Sequence, residues 1–246
     1  MMSLFITFPT SHQFGPALHG GQPGLDDWLP VVAFALGLVV CVGGAVYNLK
    51  KQRQLLGYAG WSAYVSGTAT IVTFVSAILF FSLGQPFGTL NDIASVFQLS
   101  FMLPLALILD RLFRPHSPTL SFLAAVLGMS GMLVGAGVQS LLVAGAITYQ
   151  QTVPFLHFGS AIGGWLVLSS YLSLSTHLFP RGLAWAGLLA GVGYVMTVVG
   201  FLLGSYQSPV FYAGGLLMVS SYSTWAFWLG RVLLAGHPAA AHASGV

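Results

Sequence analysis

Charge is what this chain has least of. Of its 246 residues, 4% are Asp, Glu, Lys or Arg and 56% are hydrophobic, whereas about 25% of the residues of a soluble protein are charged. Water is therefore not its main solvent. Cysteine is scarcer still: Cys41 is the single one, and it lies within an apolar stretch. That excludes disulfides within the chain and cysteine-rich metal centres, and leaves a small packing residue. A basic leader is missing too, because MMSLFITFPTSHQF has no Lys or Arg and its apolar run breaks at Pro9. No cleaved signal peptide is expected.

What the chain has instead is seven apolar stretches, near residues 30–49, 60–83, 92–112, 119–146, 155–178, 183–204 and 210–234. A helix needs roughly 20 apolar residues to cross the hydrocarbon core, whereas a membrane barrel strand is about half as long and alternates in polarity. The expected fold is an all-α membrane protein, a bundle of seven transmembrane helices over residues 30–234. Residues 1–29 would form an extracytoplasmic segment, and residues 235–246, small and polar, a disordered tail.

The few charges orient the bundle. Lys50, Lys51 and Arg53 follow the first stretch, Arg111 and Arg114 the third, Arg181 the fifth, and Arg231 closes the seventh. Positive residues are retained on the cytoplasmic side, and the opposite loops carry Asp26, Asp27 and Asp92 without a Lys or Arg. The amino terminus is thus expected outside and the carboxyl terminus in the cytoplasm. Trp28 at the outer end, and Trp61, Trp185, Trp225 and Trp228 toward the inner end, suit interfacial belts. Pro104 falls inside the third stretch, where the loss of a backbone donor predicts a kink or hinge.

Several chemistries lack their residues. Residues 210–234 contain no lysine, which rules out a retinal Schiff base there. A membrane haem needs paired histidines at matched depth, and His157 alone lies well within an apolar stretch. Zinc needs three or four ligands, and no HxxxH or ExxH spacing occurs. No cofactor and no metal are expected. Asp110 followed by Arg111 reads as a charged pair at a helix end. The net charge of +3 is explained by cytoplasmic basic loops and needs no nucleic acid.

Uncharged polar residues and one acid remain, gathered toward the outer half. Asp92 opens the third stretch, Gln98 follows almost two turns later, Gln139 lies in the outer third of the fourth, and His157 lies near the outer end of the fifth. Consecutive helices with short loops are neighbours, so Asp92, Gln98, Gln139 and His157 are candidates for one outward-facing ligand pocket. The alternative is that the glutamines bond across helix interfaces and that Asp92 sits at a favourable helix start.

The run RGLAWAGLLAGVGYVMTVVGFLLG, from Arg181 to Gly204, followed by WLGRVLLAG, resembles the later helices of the bacterial integral membrane proteins grouped as the DUF4386 family. The resemblance covers about a quarter of the chain. It implies a bacterial inner-membrane protein and brings no activity or functional residue with it.

The expected function is a non-enzymatic membrane module, either an accessory subunit of a larger complex or a binder of an apolar or weakly polar molecule. Its partners would be the lipid bilayer, a membrane-protein complex or a small uncharged ligand. The alternative is a small-solute transporter by uniport or exchange, with Pro104 as hinge. An enzyme using Asp92 and His157 as an acid/base pair comes third, because no nucleophile or metal set accompanies them.

Overall fold

The computed structural model describes residues 52–84, 86–204 and 207–236. The first apolar stretch, the segment before it and the tail beyond Gly236 lie outside the described residues. Among the described residues seven α-helices follow one another: α1 (Gln52–Leu83), α2 (Phe87–Phe113), α3 (Pro118–Val143), the short α4 (Tyr149–Thr152), α5 (Phe158–Thr176), α6 (Arg181–Gly204) and α7 (Pro209–Leu234). No strand occurs among the described residues.

Helix ends are set by familiar signals. Proline occupies the first turn of α3 and α7, where its fixed φ suits a helix start and its missing N–H costs nothing. Gly84 after α1, with φ 75°, and His177 after α5, with φ 55°, turn the chain left-handed and stop the ladder. α1 is already helical at Gln52, where the described residues begin, and not only from near residue 60, and Leu55, Leu56 and Ala59 are buried there and extend its apolar face. The fifth stretch is also revised. Its continuous helix starts at Phe158, preceded by α4 and a 3-10 turn, Val153–Phe155, and the two parts meet at a bend of 41°. Pro154 cannot donate to a helical ladder, which accounts for the break.

Four helices, α1, α2, α3 and α6, are long and apolar enough to cross a membrane, and α4–α5 makes a fifth if the bent pair is one span. In α7 the polar run Ser220–Thr224 dilutes an otherwise apolar helix of 26 residues. Large apolar side chains face outward on every side, among them Ile78, Phe122, Leu202 and Leu216. A helix apolar all round needs hydrocarbon as its solvent.

The helices form a ring. Each packs on its chain neighbour, with α3 meeting α5 past the short α4, and α7 returns to α1 to close the circle. Trp165, Tyr222, Met102, Leu105 and Leu166 are fully buried and fill the inside. The ring is drawn tight where glycines let backbones touch. A Cβ at Gly163 would lie 2.8 Å from the Gly191 carbonyl, and one at Gly200 would run into the Phe211 backbone nitrogen. These glycines serve α5–α6 and α6–α7 packing within one chain, as small residues do between membrane helices.

Candidate functional site

The four sequence candidates separate into a pair and two isolated residues. Asp92, in the second turn of α2, meets Gln139, one turn before the end of α3, and Gln139 Nε2 donates to Asp92 Oδ1 at 2.6 Å. Both residues are half-buried. Antiparallel helices joined by the short loop after Arg114 bring these distant positions level. Next to Asp92, Asn91 Nδ2 donates to the Thr73 carbonyl of α1 at 2.7 Å, so the first turns of α2 are stapled to both flanking helices. Tyr149 on α4 stands within electrostatic range of Asp92. α4 itself is held by a capping box in which the Thr148 N–H donates to Gln151 Oε1 at 2.7 Å.

Gln98 does not join that pair. It is buried and reaches across the ring, where its Nε2 donates to the Tyr194 hydroxyl of α6 at 2.8 Å. The Tyr194 ring lies edge-on to Tyr222, with centroids 6.3 Å apart. Tyr222 donates in turn to Ser66 Oγ of α1 at 2.9 Å, and Ser66 donates to its own helix at the Ala63 carbonyl. A line of polar groups thus crosses the middle of the bundle and ties α2 to α6 and α7 to α1. Beside it Trp225 packs between Tyr222, tilted to it with centroids 5.6 Å apart, and Trp165, edge-on at 5.9 Å.

Trp225 was expected at the interface and lies in the core instead, 4% exposed. Trp61, Trp185 and Trp228 do face outward. A tryptophan near a helix end turns outward or to the core according to its face, and the stripe of α7 shared with Tyr222 and Leu229 is the inward one. Tyr194, Tyr222, Ser66 and Trp165 escaped the sequence reading. Their signal was available, since a phenol in the middle of an apolar stretch needs a hydrogen-bond partner.

His157 is exposed at the bend before α5, its ring 4.7 Å from that of Phe158. Pro104 is buried within α2, which runs through it unbroken from Phe87 to Phe113. Its missing N–H deprives the Ser100 carbonyl of its helical partner, and the Ser100 hydroxyl in the same turn is buried without a hydrogen bond. Asp110 is also buried. It pairs with Arg114, one turn on, and accepts from the Ser121 hydroxyl of α3 at 2.8 Å, so the acid stitches the α2–α3 corner.

The chemical capacity of these groups is limited. Among the described residues no three His, Cys, Asp or Glu side chains gather as a metal site. Both described carboxylates already hold partners, and the acid at 92 and the imidazole at 157 turn to different neighbours. The Asp92–Gln139 bond uses Oδ1 of the half-buried acid and leaves Oδ2 outside it. Compared with known proteins, the chain matches no family model, no curated protein and no solved structure.

Proposed function

We propose that this is a seven-span protein of the bacterial cytoplasmic membrane, amino terminus outside, acting as a non-enzymatic module: an accessory subunit or a binder of an apolar or weakly polar molecule. The observation that supports it is that the acid, the amide and the two phenols buried inside the ring each hold a partner. Asp110 is held by Arg114 and Ser121, Gln98 by Tyr194, and Tyr222 by Ser66. Groups already bonded to each other are poor acids, bases or nucleophiles, and act first as helix ties. The basic loops supply the orientation, and the DUF4386-like run over residues 181–204 points to the same cellular setting.

Native mass spectrometry of the protein extracted gently from its own membrane tests this. A stoichiometric protein companion supports the accessory role, and a retained small molecule supports the binder. A lone chain that turns over a substrate after purification would overturn both.

The second reading, a small-solute transporter, is favoured by one feature, the half-buried Asp92–Gln139 pair near the outer end. Gln139→Leu is its test. Gln98 is a poor target, because its loss disturbs the packed middle whatever the function. Uptake of a transported solute that is unchanged in Gln139→Leu would remove the pair from the transport path.

A further inference from the structure

A cavity of about 10 Å³ lies between α2, α5, α6 and α7, and the residues around it are buried. That is enough for a single water molecule. Its polar side is made by Ser169, Ser170 and Ser173 of α5 and by the indole of Trp225 on α7. The three serines share one helical face, spaced three and four residues apart. The other walls are apolar, with Leu109 and Phe113 from α2, Leu183 from α6 and Leu229 from α7. Among the described residues no charged side chain lines the cavity.

Two observations show that this space is built for an occupant. The first is Ser173 Oγ, which is buried with no hydrogen-bond partner among the described residues. A serine in a helix has a ready remedy, because its hydroxyl can turn to a carbonyl of the preceding turn. Ser175 and Thr176 of the same helix do so, both donating to the Leu172 carbonyl. Ser173 does not, although an unmade bond at a buried hydroxyl costs free energy. The second is Gly187 of α6. A Cβ there would fall 2.5 Å from Ser170 Oγ and 2.7 Å from Trp225 Nε1, so the hydroxyl and the indole nitrogen stand around the spot that the missing side chain leaves free.

We infer that the cavity holds one water molecule, which accepts a hydrogen bond from the Trp225 indole N–H, bonds to the serine hydroxyls of α5 and so ties α5 to α7 beside Gly187. The chemistry of the walls selects this occupant. An indole N–H donates and never accepts, so the molecule facing it must accept a bond and a cation is turned away. No positive charge lines the site, so an anion has nothing to neutralise it. The volume refuses anything as large as the weakly polar ligand of the proposed function. A buried water makes about three hydrogen bonds to groups otherwise left unpaired, and one indole with the serines supplies them. The inference stands apart from the accessory-subunit and transporter readings, and survives the failure of either.

A crystal structure of the full chain, at a resolution that shows ordered water, tests this with Gly187→Ala beside the unaltered protein. In the unaltered protein, water density is expected within hydrogen-bonding distance of Trp225 Nε1 and of at least one hydroxyl among Ser169, Ser170 and Ser173. In Gly187→Ala it is expected to be gone, because the added methyl takes its place. Should that variant fail to fold, the unaltered structure alone decides. A dry cavity with the Ser173 hydroxyl turned to its own helix would overturn the inference, and so would density too large for water. A water that persists unmoved in Gly187→Ala would overturn its placement between Trp225 and Ser170.

Discussion

Gln98 and Gln139 are the same residue type on adjacent helices, yet they belong to different regions of the molecule. Gln98 lies in the closed middle of the ring, where Tyr194, Tyr222, Trp225 and Trp165 surround a line of hydrogen bonds that joins helices across the bundle. Gln139 lies near the end of α3, half-buried, bonded to an acid with a second oxygen outside the bond. In the middle a lost partner is costly, because the group left behind is buried. Near the helix ends the cost is smaller. Polar side chains at depth are thus ties in one region and a place to receive a ligand in the other.

The sharpest way to break that distinction is to empty the middle. Trp165 is 1% exposed, and Trp165→Ala should destabilise the bundle by about 3–5 kcal/mol, the usual cost of deleting a buried large aromatic. Trp61, 64% exposed, should tolerate Ala within about 0.5 kcal/mol, as surface positions do. Thermal unfolding of both variants in one detergent compares them directly. Equal losses would mean that the ring interior is not the stabilising core.

Next comes the hydrogen bond across the ring. Gln98→Leu leaves the Tyr194 hydroxyl buried without its partner, which costs about 1–3 kcal/mol. Tyr194→Phe added to it should restore part of the loss, since a donor and acceptor removed together leave no orphan. A double-mutant cycle that returns no coupling would show that the two side chains do not act as a pair.

Gln139→Leu should cost less, about 0.6 kcal/mol, the mean for hydrogen bonds between membrane helices, because Asp92 is half-buried near a helix end and can turn to water. What the substitution should change is ligand retention or transport. A variant as destabilised as Gln98→Leu would place Gln139 among the structural ties and take away the candidate site.

Much of the helix plan was legible because continuous apolar runs leave few alternatives. The stretches near 92–112, 183–204 and 210–234 lie inside α2, α6 and α7 with ends off by a few residues. What escaped detection depends on facing. Whether Trp225 meets lipid or Trp165 is decided by which side of α7 turns inward, and helices apolar all round give no periodic contrast from which to read it. The candidate pocket went astray for the same reason. Depth along the chain put Gln98 near Asp92, but Gln98 projects toward α6 across the ring and Asp92 toward α3. The turns of α1 before residue 60 were missed because Gln54 and Gly57 alternate there with buried Leu55 and Leu56, an amphipathic run that resembles a loop.

The smallest expected effect separates position from role. His157 is exposed, stacks on Phe158 and caps the bend into α5 without a side-chain cap bond. His157→Ala should therefore change stability by no more than about 0.5 kcal/mol, and the unfolding measurement that reads Gln139→Leu reads this variant too. The bend needs Pro154, whose ring breaks the ladder whatever residue stands at 157. A loss several times larger would mean that the imidazole holds α4 against α5, and would move His157 from the rim into the machinery of the outer end. A variant of native stability that no longer retains a ligand kept by the unaltered protein would do so more directly, because an exposed ring contributes to binding without contributing to the fold.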